Sequence, residues 1–195
     1  MCSQNLVKAA PDALAAAAAA AGSGGLPPVE RWNPPYCGEI DMRIARDGTW
    51  FHEGTPIGRP ALVKLFSNIL WREGERYFLV TPVEKVGIRV DDAPFVAVDA
   101  VAEGAGRDQR ITFTTQTGDV TTAGDERPIR VVRDPGTGEP SPYVTVRRNL
   151  EALIDRKTFY RLVDLGRHED HDGARWFGLW SGGVFFPVIP SAELG

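Results

Sequence analysis

The sequence predicts an α+β fold made of two related, mostly antiparallel units, and three observations carry that reading. The first is a strand, turn and strand from Val86 to Val98, turning at Asp91-Asp92-Ala93-Pro94. A counterpart runs from Phe177 to Val188 and turns at Ser181-Gly182-Gly183. These turn residues either bond their own backbone or tolerate positive φ, and the flanks are apolar or alternating, as paired strands require. The second is a helical face, Leu62, Leu65, Phe66, Ile69 and Leu70, spaced by three and four behind Pro60. The third is order: elements of the first half return in sequence in the second, as duplication would leave them.

Composition sets the bounds. In 195 residues, 43% hydrophobic and 25% charged, the chain can bury one sizeable core or two small ones. A net charge of -4 gives no overall basic field, so nucleic acid is not an expected partner. No stretch is long and apolar enough to suggest a membrane span. Two cysteines, Cys2 and Cys37, fit a reducing compartment better than a disulfide framework, and the expected location is cytoplasmic. By residue type, Cys37 reads as a buried structural thiol.

Residues 1–35 are expected to be a flexible tail. The alanine run Ala15–Ala21 has no docking stripe, and Gly22-Ser23-Gly24-Gly25 and Pro27-Pro28 close it. The first domain is expected over 36–105. Ile40–Ile44 alternates as a strand, Asp47-Gly48 gives a hairpin turn, and Thr49–His52 returns. The helix follows from Pro60 and stops at Gly74. Tyr77–Val80 is then a short strand leading into the Asp91–Pro94 hairpin.

The second domain is expected over 106–195. Ile111–Thr115 with a Gly118-Asp119 turn reads as an extra hairpin. Arg43–Gly48 recurs as Arg130–Gly136, and Ile57-Gly58-Arg59 as Val146-Arg147-Arg148. Leu62 and Leu65 recur as Leu150 and Leu153 on a second helix at the same offset, and Tyr77–Val80 recurs as a strand over Tyr160–Val163. Each unit thus reads hairpin, helix, strand, hairpin.

Several segments resemble a known family. They are Pro27–Pro34, Ile40–Trp50, Gly54–Arg59, Thr81–Lys85 and Asp91–Phe95. Together they resemble the uncharacterised bacterial domain-of-unknown-function family 1285, over essentially Leu26 to Val188. The resemblance implies a duplicated two-domain core, a C-terminal half similar to a pleckstrin-homology-like roll, and a ligand site between the domains. It also implies a nucleotide-like ligand and a part in signal transduction. Gln116 departs from the asparagine expected in relatives.

The residues themselves offer a candidate ligand site. Arg43, Arg46, Arg59, Lys85, Arg147 and Arg148 fall at the ends of elements, and a guanidinium suits phosphate or carboxylate. Arg59 and Arg147 hold equivalent places before the two expected helices, where an anion could meet both an arginine and a helix N-terminus. The competing reading pairs these arginines with Asp41, Asp47, Glu84, Asp91 or Asp92 across the domain interface. Thr81 and Glu84, with Lys85, gather a hydroxyl, a carboxylate and an ammonium in one loop. Tyr160 and Trp180 could stack on a ring, although strand aromatics more often serve the core.

The expected function is non-enzymatic: binding or sensing a small anionic, nucleotide-like ligand, with no catalytic residue, metal or cofactor assigned. A protein-interaction module is the alternative. A metal-dependent enzyme using His168 and His171 is the second, set against a solvated Gly173-containing loop that gives those histidines no fixed spacing.

Overall fold

A computed structural model describes residues 26–194. The alanine run and Cys2 lie outside them. The described chain divides into two units, the first ending at Pro94 and the second beginning at Phe95. It is mostly β, with two helices, two six-stranded sheets and a small three-stranded sheet. No helix among the described residues is long and apolar enough to cross a membrane.

The first unit opens earlier than the expected tail allowed. Val29, in a short 3-10 turn, is buried, and Pro35 C=O accepts from Lys85 N–H at 3.0 Å. Strands β1 (Tyr36–Ile44), β2 (Trp50–His52) and β3 (Thr55–Pro56) form a meander around the predicted Asp47-Gly48 turn, where Gly48 takes φ 85°. Helix α1 (Pro60–Asn68) starts at the predicted proline but ends before Leu70. Leu70 instead begins β4 (Leu70–Glu73), which pairs with β5 (Arg76–Val80) through the Gly74 turn, and β5 pairs with β6 (Lys85–Val90). Leu62, Phe66 and Ile69 bury the helix face, and Phe66 stacks on the buried Trp50 ring.

The expected Val86–Val98 hairpin does not form. β6 ends at Val90 and pairs in parallel with β1, while β7 (Phe95–Glu103) belongs to the second sheet. Asp91–Pro94 therefore links the units, and the division falls before β7 rather than at 105/106. Turn chemistry is correct at these residues, but a change of direction need not return a strand onto its predecessor.

In the second unit β7 pairs with β8 (Arg110–Thr115), and β8 with β9 (Val120–Thr122), the predicted extra hairpin. A second meander follows, of β10 (Ile129–Arg133), β11 (Pro140–Arg147) and β12 (Leu150–Ile154). β12 closes in parallel onto β7. The Leu150–Ile154 run was expected as helix, and Tyr160–Val163 as strand; the structure reverses both. Burial alternates through β12, so its period is two. Helix α2 (Arg156–Val163) starts after Asp155, whose carboxylate accepts from Thr158 N–H at 2.7 Å.

The sheet orders are β3-β2-β1-β6-β5-β4 and β10-β11-β12-β7-β8-β9. Counted from each unit's own first strand, these are the same order. The repeat is thus one of topology, with the helix placed at the midpoint of one unit and after the last sheet strand of the other, not at the offset read from sequence.

The chain ends in β13 (Arg167–His171), β14 (Ala174–Ser181) and β15 (Val184–Pro190). The β14–β15 hairpin is the predicted one, with Gly182 and Gly183 at φ 59° and 77°. Gly178 is a close-packed position: a Cβ there would lie 2.3 Å from Phe186 O and 2.6 Å from the Phe185 ring. Gly178→Ala is expected to destabilise the protein by about 1–3 kcal/mol through overpacking, read as a lower urea midpoint in equilibrium unfolding.

Candidate functional site

The candidate arginines meet three different fates. In the first unit, alternate residues of β1 and the β6 edge share a face, so Glu39, Asp41 and Arg43 form a ladder. Arg43 pairs with Asp91 at 2.7 Å and lies over Phe51, while Asp41 faces Arg89 at 3.5 Å. Glu39 reaches across Gly87, which offers no side chain in its path, to Arg76 on β5 at 2.6 Å. Arg46 pairs with Asp92 at 3.0 Å. Lys85 contacts the Glu73 carboxylate at 3.1 Å and the Phe78 ring. The pairs of Arg43 with Asp91 and of Arg46 with Asp92 thus lie within the first unit.

Arg59 is exposed at the N-cap of α1 and makes no side-chain cap. It is not equivalent to Arg147, because Arg147 ends β11 ahead of a strand. Arg148 occupies the β11–β12 turn with φ 52°. Tyr160 stands 61% exposed on α2. Trp180 is committed within the second unit: its indole N–H donates to Glu169 at 3.0 Å, Arg107 lies over its ring, and Phe185 flanks it.

His168 and His171 do not sit in a loop. They lie on β13, where an odd spacing places side chains on opposite faces. His168 meets Ser191 Oγ and Phe177, whereas His171 meets Phe185. Asp172 and Gly173 form the tight β13–β14 turn, both at positive φ. This geometry does not bring the two imidazoles together as a ligand pair. Cys37 is half-buried in β1.

The densest polar cluster lies at one end of the second six-stranded sheet. Arg147 is buried, its guanidinium packed on the Phe95 ring and ion-paired with Asp119. Burial lowers its proton affinity and the Asp119 charge opposes that shift. Asp119 also accepts from Thr117 Oγ1 at 2.7 Å, and its N–H donates to Thr115 Oγ1 at 3.0 Å. Within the turn Thr115-Gln116-Thr117-Gly118-Asp119 the two hydroxyls also bond each other at 3.0 Å, so one chain of hydrogen bonds ties the Asp119 carboxylate to its own N–H.

Gln116 locks that turn to β7. Its N–H donates to Val96 O at 2.9 Å, and its Oε1 accepts from Val96 N–H at 2.7 Å. The second bond fixes the amide orientation, since a flipped amide would set donor against donor. Nε2 is consequently a buried donor, and it has no acceptor among the described residues. Sequence reasoning named Arg147 but missed Asp119 and the role of Gln116; the signal was the run of hydroxyls closing on Gly118-Asp119.

Glu84 is the other polar outlier. Thr81 Oγ1 accepts from the Val83 and Glu84 N–H groups, and Thr81 N–H donates to Glu84 O at 2.9 Å, which closes the β5–β6 turn. The Glu84 side chain is 4% exposed and Oε2 has no partner among the described residues. Burial pushes its carboxyl above the ordinary range.

Comparison with known proteins now places the chain. Residues 27–93 match the model described as "Domain of unknown function (DUF1285), N-terminal domain", and residues 94–188 match "Protein of unknown function (DUF1285), C-terminal domain". The chain belongs to the DUF1285 family. The junction of the two models falls beside the Pro94–Phe95 division of the structure. A crystal structure of a DUF1285 family protein from Silicibacter pomeroyi DSS-3 is similar at 65% identity and a TM-score of 0.85, covering 93% of this chain and 97% of that one. A DUF1285 family protein from Shewanella baltica OS155 is 29% identical, covering 63% of this chain and 90% of that one, with a TM-score of 0.48. No curated protein matches.

The two kinds of ion pair differ in energy. Arg147→Ala strands the part-buried Asp119 carboxylate and is expected to cost about 3–5 kcal/mol. Arg43→Ala removes a pair in contact with solvent and is expected to cost less than about 1 kcal/mol. Urea unfolding of both variants tests the contrast.

Proposed function

We propose that this DUF1285 protein is a non-enzymatic binding or sensing protein that takes a small ligand at the Gln116–Arg147–Asp119 cluster. The observation that carries the reading is the Gln116 amide: a buried N–H donor, held in one orientation, with no acceptor among the described residues. Leaving such a donor unmade costs about 1–3 kcal/mol, and an acceptor oxygen from a ligand would recover that. Asp119 already neutralises Arg147, so the guanidinium contributes orientation and hydrogen-bonding capacity rather than a bare positive charge. A carboxylate, carbonyl or phosphate oxygen of a nucleotide-like molecule suits the donor. A role in signal transduction and a cytoplasmic location complete the proposal.

The test is a thermal-shift and calorimetric panel of nucleotides, phosphosugars and dicarboxylates on the wild type and Gln116→Glu. The glutamate keeps an oxygen for Val96 N–H and replaces the free donor with an acceptor. A ligand in hundredfold excess over its Kd is expected to raise stability by about 2.7 kcal/mol, with affinity at least tenfold weaker in the folded variant. A panel that leaves the wild type unmoved would sink the small-ligand reading in favour of protein docking. Equal affinity in the variant would move the site elsewhere.

A further inference from the structure

Glu84 is remote in kind from that cluster: it belongs to the first unit and presents an acceptor, not a donor. Its backbone cannot relax easily, because the Thr81 hydroxyl and N–H tie both ends of the turn. The neighbouring Val80 N–H donates to Ile69 O at 3.0 Å, which docks the turn onto the chain leaving α1. Asn68, just before Ile69, also has a buried side-chain oxygen without a hydrogen-bond partner among the described residues. Two lone acceptors therefore sit on segments joined by one backbone bond, and each calls for a donor.

The obvious cations are directed elsewhere. Lys85, next in the chain, contacts Glu73 and Phe78. On β5, Arg76 bonds Glu39; on β4, Arg72 pairs with Glu75. Lys64 is the cation of α1, one turn before Asn68. Burial alone moves the Glu84 carboxyl, with no charged side chain acting on it. A proton removes the charge that burial penalises, and it does so without needing a cavity.

We propose that Glu84 is a proton-operated latch on the β5–β6 turn: protonated, its neutral carboxyl stays buried and the turn closed, and loss of the proton drives the side chain toward water and loosens the turn. The sign follows from linkage. The folded state holds the proton more tightly than the unfolded chain, so the stabilisation is complete below the ordinary glutamate range. It is lost as pH rises from that range through the raised folded-state midpoint.

The experiment follows the full-length protein by carboxyl ¹³C NMR from acid to mildly alkaline pH, with Glu84→Gln identifying the resonance, and by amide exchange at Val83 and Glu84. The expected midpoint lies above the ordinary glutamate value of about 4.3. Protection of the two amides, corrected for intrinsic exchange, is expected to fall as pH passes that midpoint in the wild type and to stay level in Glu84→Gln. In the same window the folded-to-unfolded ratio of the wild type, relative to Glu84→Gln, is expected to fall by up to about tenfold per pH unit. An ordinary midpoint, or protection that ignores pH, overturns the latch. Should Glu84→Gln fail to fold, backbone-linked assignment of the wild-type carboxyl gives the same decision. Ligand binding at Gln116 has no bearing on this readout, so either reading can fail without the other.

Discussion

The constraint on which both units depend is a parallel pairing between their first and last sheet strands, β1 with β6 and β7 with β12. Every other pairing in the two large sheets is antiparallel and joins neighbours in sequence, which short turns can register locally. The closing pair alone must be found across the whole unit. Once made, it fuses two three-stranded meanders into a single six-stranded sheet and leaves short strands, β3 with β4 and β9 with β10, at the edges. Short edges are a recognised defence against edge-to-edge association. In the second unit the sheet curls far enough for Thr121 Oγ1 on β9 to donate to Thr145 O on β11 at 3.0 Å. The Arg147–Asp119 pair bridges the same two regions, so the cluster proposed to bind a ligand is also a closure of the curl.

Charge is used differently in the two units. Along β1 and β6 the ion pairs lie on a face open to water, where screening makes each of them weak and replaceable. Their alternation still reads the strand period, because Glu39, Asp41 and Arg43 occupy every second position. Around Arg147 the same residue types are buried against Phe95, and removing either partner would leave a charge out of water. Sequence position did not separate these cases. Arg43 and Arg147 both lie near strand ends, and only tertiary burial distinguishes a solvated pair from a buried one.

What was legible in the sequence was local. Asp47-Gly48, Gly118-Asp119 and Gly182-Gly183 marked real turns, since their backbone requirements are set within a few residues. Pro60 marked a real helix start. The errors arose where a short pattern fits two periods. Leu150, Leu153 and Ile154 are spaced as a helix face, yet Leu150, Ala152 and Ile154 alternate equally well, and pairing with β7 and β11 decides for strand. The cap at Asp155, with Thr158 three residues on, was the local sign that the helix begins later. Asp172-Gly173 was likewise a hairpin turn of the kind recognised at Asp47-Gly48, and it makes β13 of what reads as a polar loop. The parallel closure left no local signature, so the order of the sheets, and with it the link role of Asp91–Pro94, lay beyond periodicity. Of the candidate site, the arginines were visible by type, but Asp119 and the Gln116 amide acquire meaning only through the turn that places them.

Glu84 and Gln116 share a construction. Each sits in a turn braced by threonine hydroxyls, Thr81 in one and Thr115 with Thr117 in the other, and each has its main chain bonded on both sides. In a loose loop, a buried polar atom without a partner would rotate to water and the penalty would vanish. Here the bracing makes that escape costly, so the penalty of about 1–3 kcal/mol stays in the folded state until a partner arrives or the turn loosens. The partner needed differs by sign: an acceptor for the Gln116 N–H, a donor for the Glu84 oxygen. A rigid turn that holds an unsatisfied group in place is how a marginally stable fold can couple its stability to something outside the chain, whether an oxygen-bearing ligand or the proton concentration of its surroundings.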